Sequence, residues 1–223
     1  MKTRLRMAAA TVILGLVLSG CAENPADKVP SAQVKTPSAT ATMAPTGTPA
    51  AAESPAAAVE GTVYTFADGT EIGFIGSKVT GSHEGGFKGV TGTVTVPEGG
   101  LEQAVVELTV DMKTMYADNE KLLGHLKDED FFAVDKFPQS TFKSSSLAKD
   151  GENFKVTGDL TMHGVTKTIS FPAKISMEES GVKTSAEFSI NRKDFGIVYA
   201  GKPDDLIRDE VVIKYDISAG KKG

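Results

Sequence analysis

Val182-Lys183-Thr184-Ser185-Ala186-Glu187-Phe188-Ser189-Ile190 alternates without a break: Val182, Thr184, Ala186, Phe188 and Ile190 fall on one side, Lys183, Ser185, Glu187 and Ser189 on the other. Successive side chains of a strand point to opposite faces, so this stretch is a strand with one face for a core and one for water. The same pattern recurs downstream at Val211, Ile213, Tyr215 and Ile217, and upstream where Ala104, Val106, Leu108 and Val110 oppose Glu107, Thr109 and Asp111. Working outward, strand-like runs cover residues 62–66, 71–80, 87–96, 104–112, 140–147, 154–162, 167–177, 182–191 and 210–218, with turn-forming residues between them. About eight strands in about 160 residues predict an all-β fold, an antiparallel barrel or sandwich. Asp68-Gly69 predicts a tight hairpin between the first two runs, and Gly81, Gly85 and Gly86 a glycine-rich link before the third. One segment breaks the rhythm: residues 118–130 place Leu122, Leu123 and Leu126 on one helical face behind Asp118 as N-cap, and Pro138 closes it.

The 223 residues carry a formal charge of -5, one Cys and no Trp. All aromatic residues lie from Tyr64 onward, whereas six of the ten Pro lie before it. Only residues 61–220 can therefore build an aromatic core, enough for one domain. A single Cys excludes an internal disulfide and Cys-rich metal sites, and an acidic balance without a basic stripe argues against nucleic acid as a partner. Lys2, Arg4 and Arg6 precede an apolar run over residues 7–18, the form of an export signal over residues 1–20. Leu18-Ser19-Gly20-Cys21 resembles a lipoprotein cleavage site, which implies an acylated Cys21 as mature N-terminus and a membrane anchor. Loss of Lys2, Arg4 and Arg6 takes the formal charge from -5 to -8, so a polybasic contact with lipid is not the anchor. Residues 21–60, rich in Ala, Pro and Thr, read as a disordered tether whose ends lie about 35 Å apart.

Further motifs point to a family. Gly76-Ser77-Lys78-Val79-Thr80-Gly81-Ser82-His83, Leu123-Gly124-His125-Leu126-Lys127, Gly158-Asp159-Leu160-Thr161-Met162-His163-Gly164-Val165-Thr166 and Asn191-Arg192-Lys193-Asp194-Phe195-Gly196 stand in this order along residues 62–218. Together they resemble the YceI-like family. The resemblance implies a lipocalin-like antiparallel β-barrel that holds an amphiphilic lipid such as a polyisoprenoid, an isoprenoid quinone or a fatty-acid derivative. It also implies export to the periplasm or cell surface, no cofactor, no established catalytic residue and, in some relatives, a homodimer. Ala22 in place of Asp favours the outer membrane where there is one. The lipobox, the long tether and the acidic Asp128-Glu129 depart from the family pattern.

Within that reading Phe74, Phe87, Phe131, Phe132, Phe142, Leu160, Phe188, Ile190 and Phe195 are expected around a ligand cavity, with the short helix as a lid. His83, His125, His163 and Arg192 are expected at its mouth, facing a headgroup. Plain core packing is the alternative for each Phe, and a salt-bridge network shaping a loop is the alternative for Arg192. The three His lack the close spacing of a metal motif, so no metal site is assigned. Ser82-His83, or His125 with Asp130, lacks a strained nucleophile turn, which leaves a hydrolase as the lesser alternative. A barrel filled by its own side chains, serving as an interaction module, is the other.

Overall fold

The computed structural model describes residues 22–36, 59–203 and 205–221. The expected signal at residues 1–20, Cys21 and residues 37–58 of the expected tether lie outside them. In chain order the strands are β1 (Gln33–Lys35), β2 (Thr62–Phe66), β3 (Ile72–Lys78), β4 (Gly81–Phe87), β5 (Val90–Val96), β6 (Val105–Asp111) and β7 (Met115–Ala117), then helix α1 (Glu120–Lys127). β8 (Gln139–Asp150), β9 (Asn153–Met162), β10 (Val165–Glu178), β11 (Gly181–Asn191), the two-residue pair β12 (Gly201–Lys202) and β13 (Asp205–Leu206), and β14 (Glu210–Lys221) follow. Eight of them close an antiparallel barrel in the order β10, β9, β8, β6, β5, β2, β14, β11 and back to β10. The all-β barrel expected from the alternating runs is therefore the fold.

Two turn readings need correction. Asp68-Gly69 does form a turn, with Gly69 at φ 78° and the Thr70 amide donating to the Ala67 carbonyl at 3.3 Å. It does not make a hairpin, because β2 and β3 never pair with each other. Both run along β14, β2 against residues 219–221 and β3 against residues 212–215, so the turn is a jog within one line of wall. β14, at 12 residues, is long enough to take both. The glycine-rich link at Gly81, Gly85 and Gly86 is itself β4, paired with β3 from Gly81 to Phe87. Gly85 stands opposite Phe74, where a Cβ would lie 2.5 Å from the Phe74 ring, so the glycine is there to let the ring lie across the sheet.

The start of the tether is also different from the expectation. Residues 22–36 are part of the barrel wall: a 3-10 turn at Pro25–Lys28 lies against β14, and β1 pairs with Thr168 to Ser170 of β10. The Ala32 amide donates to the Ser189 carbonyl at 2.8 Å, and the Ser189 amide to the Pro30 carbonyl at 2.9 Å. The cause lies in β10. Its ladder with β11 runs only from Lys174 to Glu178 and stops beside Pro172, a residue with no N–H to give. Toward the other end of the barrel β10 and β11 separate, and the N-terminal segment fills the gap. Ser189 and the outward-facing Val212 are thereby buried, at 2% and 1% exposed.

The helix is shorter than read from sequence, and Asn119 caps it: its side chain accepts from the Leu122 amide at 3.0 Å. Asp118 is drawn away into the sheet, donating its amide to the Glu84 carbonyl and accepting from the Glu84 amide at 3.1 Å. Turns at residues 79–80 and 163–164, α1, and the long loop 192–209 lie at one end of the barrel, called the mouth below; the turns at Gly151 and at 179–180 lie at the other.

Candidate ligand cavity and its mouth

Alternation along the strands sends one apolar row from each into the barrel, and the rows enclose two adjoining spaces. The inner one holds about 130 Å³ of free space, room for about four waters at liquid density. Its wall is almost wholly apolar, and its centre is an aromatic run: Phe171 stacks on Phe188 with centroids 4.1 Å apart, and Phe142 sits 5.9 Å from Phe171. Phe66 and Phe142 lie in this wall because Gly92 and Gly158 leave room; a Cβ would stand 2.6 Å from the first ring and 2.5 Å from the second. Tyr215, Thr184 and Ser140 are the polar groups on the inner wall. Burial pushes the Tyr215 hydroxyl up to about 12, with the Thr184 hydroxyl pulling the other way.

The outer space, a vestibule of about 860 Å³, opens at the mouth beneath α1 and the loop 192–209. Phe74, Phe131 and Phe132 line it together with His83, His125, Asn119, Lys121, Lys202, Arg192 and Arg208. Phe87, Met162, Ile190 and Ile213 border both spaces and form the neck between them. The helix is latched across the vestibule by rings: His125 lies 5.1 Å from Phe131 and 4.8 Å from Tyr199, and Phe131 lies 5.2 Å from Tyr199. That contact joins α1 to the loop carrying Tyr199.

Of the residues expected around the cavity, Phe142, Leu160 and Phe188 line the inner space, Phe74, Phe131 and Phe132 the vestibule, and Phe87 and Ile190 the neck. Phe195 reaches neither. It is fully buried in a 3-10 turn at Arg192–Phe195, where it packs as plain core. His83 and His125 are at the mouth, but His163 is not among the vestibule lining. With φ 52° beside Gly164 at φ 73°, it builds the β9–β10 turn; its Nδ1 lies 3.2 Å from the Phe195 carbonyl oxygen and its ring 4.8 Å from Phe137. Arg192 borders the vestibule, yet its guanidinium is 4% exposed and committed. Nη1 donates to the Ile197 carbonyl at 2.7 Å, Nε to the Arg208 carbonyl at 3.1 Å, and Nη2 to Asp209 at 3.3 Å. The bonds hold the loop 192–209 in shape, which is the alternative its sequence context left open.

Arg208, which the sequence did not single out, stands differently. Its Nη2 donates to the Ala22 carbonyl at 2.7 Å, and its Nε is the one buried side-chain nitrogen or oxygen without a hydrogen-bond partner among the described residues. His83 Nδ1 lies 2.9 Å from Asp118 Oδ1. Partial burial works against the Asp118 charge, but the Glu84 amide and His83 outweigh it and lower its pKa. Among the described residues no three of His, Cys, Asp and Glu converge as metal ligands do.

Phe171, Met162 and Tyr199 were also missed from the sequence. Ile169, Phe171, Ala173 and Ile175 alternate, and that period marks Phe171 despite Pro172. Tyr199 lies in a loop with no period to read.

The YceI-like domain model matches residues 64–219. Protein YceI of Escherichia coli O17:K52:H18 (strain UMN026 / ExPEC) is 36% identical over 119 residues, which is 51% of this chain and 62% of that protein. Protein YceI of Salmonella arizonae is 35% identical over the same length. Among solved structures, Burkholderia cenocepacia BcnA superposes with a TM-score of 0.61 at 23% identity, covering 66% of this chain and 94% of that one. A polyisoprenoid binding domain from Saccharophagus degradans gives 0.58 at 16% identity, over 73% and 100% of the two chains. At these identities the structural likeness is one of fold. The family match runs from β2 into β14, around the whole barrel, and the chain belongs to the YceI-like family.

Proposed function

We propose that the protein binds an amphiphilic lipid without turnover, its apolar tail in the inner cavity and its polar head in the vestibule. The observation that carries this reading is the pairing of an apolar inner space with a polar-rimmed outer one across the neck of Phe87, Met162, Ile190 and Ile213. Apolar burial at about 25 cal/mol per Å² makes a long chain a favourable guest, and the exposed Lys121 and Lys202 on the vestibule wall offer donors to a phosphate, carboxylate or quinone oxygen. The polyisoprenoid binding domain with the same fold supports an isoprenoid tail. In this reading the chain is exported, acylated at Cys21 and held on the outer face of a bacterial membrane, where it sequesters or carries its lipid.

The narrow inner space favours a second reading, a barrel filled by its own side chains that serves as an interaction module. Native mass spectrometry of the full chain, purified from a host with ordinary polyprenyl lipids and followed by organic extraction, separates the two. A stoichiometric isoprenoid, quinone or fatty-acyl mass is expected. An apo mass, together with no rise in melting temperature on adding quinones or fatty acids, would instead establish the filled barrel.

A further inference from the structure

We propose that the rim of the mouth around Val79 and Leu206 is a membrane-docking face, so that the barrel opens directly onto the bilayer that anchors it. The proposal rests on the reading that Cys21 is acylated. Ala22 is fixed at this rim: its amide donates to the Val79 carbonyl at 3.3 Å and its carbonyl accepts from Arg208. The segment that follows is pinned as well, with Ser77 Oγ donating to Asn24 Oδ1 at 3.3 Å and residues 30–35 laid into the wall. A residue joined to Ala22 by a trans peptide has its Cα about 3.8 Å from the Ala22 Cα. Acyl chains on Cys21 therefore enter the bilayer beside the mouth, and no tether intervenes between anchor and barrel.

The surface at that point suits a bilayer. Val79 and Leu206 are 38% and 49% exposed and adjacent, the Val79 amide donating to the Leu206 carbonyl at 3.2 Å. Val198, on the same mouth loop as Leu206, is 64% exposed. Lys202, four residues before Leu206, is exposed and long enough to reach headgroup phosphates. Among the described residues the other exposed large apolar side chains, Val59, Val63 and Met177, lie on separate strands or segments away from the mouth. Geometry and apolar exposure both put the mouth down, and a lipid leaving the bilayer beside the anchor meets the vestibule without crossing water.

The test uses the full chain, made in a host that processes lipoproteins and reconstituted into phosphatidylethanolamine and phosphatidylglycerol vesicles. Val79→Cys, Leu206→Cys and Glu152→Cys are labelled with a thiol-reactive, polarity-sensitive fluorophore. Acylation ties up the Cys21 sulfur, so the parent chain takes no label and each variant takes one. A blue shift and loss of emission with nitroxide-bearing lipids are expected at positions 79 and 206 and neither at position 152. Labelling of the parent would reveal a free Cys21 and overturn the acylation reading together with this proposal. An unlabelled parent with the same emission and quenching at all three positions would overturn the docking face alone.

Discussion

At the scale of single residues, the cavity is shaped as much by what is missing as by what lines it. Gly158 lets the Phe142 ring fold inward; a Cβ there would stand 2.5 Å from both that ring and the Lys143 carbonyl oxygen, and the carbonyl belongs to a paired strand that has nowhere to go. Gly158→Ala is expected to cost about 1 to 3 kcal/mol, read as a lower denaturant midpoint. Tyr215 sets a limit at high pH. Its ordinary pKa of 10.0 applies once the chain unfolds, while the folded barrel holds it at about 12. Between these values the unfolded chain gives up a proton that the folded one keeps, so stability present below pH 10 is lost as pH rises, on the order of 2 kcal/mol. Denaturant melts from pH 9 to pH 12 check this, and Tyr215→Phe should flatten the decline over that range.

At the scale of elements, α1 is the part of the mouth best placed to move. It is 8 residues long, of its residues only Leu126 is fully buried, and its link to the far rim is the His125, Phe131 and Tyr199 cluster. Tyr199→Ala removes two of those ring contacts without touching the inner cavity. It is expected to speed release of a bound fluorescent fatty acid several-fold, in line with ring pairs worth about 0.5 to 1.5 kcal/mol, and to leave the melting temperature of the barrel nearly unchanged. Which elements could be read in advance follows from how local their cause is. β11 and β14 show their alternation openly, as do β8, β9 and β10, whereas the three-residue β1 and β7 are too short to show a period. β4 hid behind its glycines, and the reason for Gly85 is the Phe74 ring on the neighbouring strand. Asp68-Gly69 has the composition of a hairpin, and only the length of β14, more than a hundred residues later, turns it into a jog. Residues 22–36 show no period because a gap in the wall, opened at Pro172, gives them their place. The mouth was legible as a set of His and Arg, but not in its roles: Arg192 is spent on loop carbonyls that no spacing reveals, and the unpartnered donor is Arg208.

At the scale of the molecule, the two ends of the barrel differ in kind. One is closed by tight turns; the other carries the helix, the long loop, the vestibule and Ala22. β14 alone makes ladders with β2, β3 and β11, and is therefore the piece on which closure of the ring depends. That has a consequence for when the protein folds. Synthesis from the N-terminus delivers residues 22–36 first and β14 last, yet both belong to the same stretch of wall, with the Pro25–Lys28 turn resting on β14. No closed barrel exists until β14 has been made, and contacts this distant in sequence form slowly, in milliseconds to seconds. Until then the sheet has unpaired edges, and the protein gains an inside only at the end.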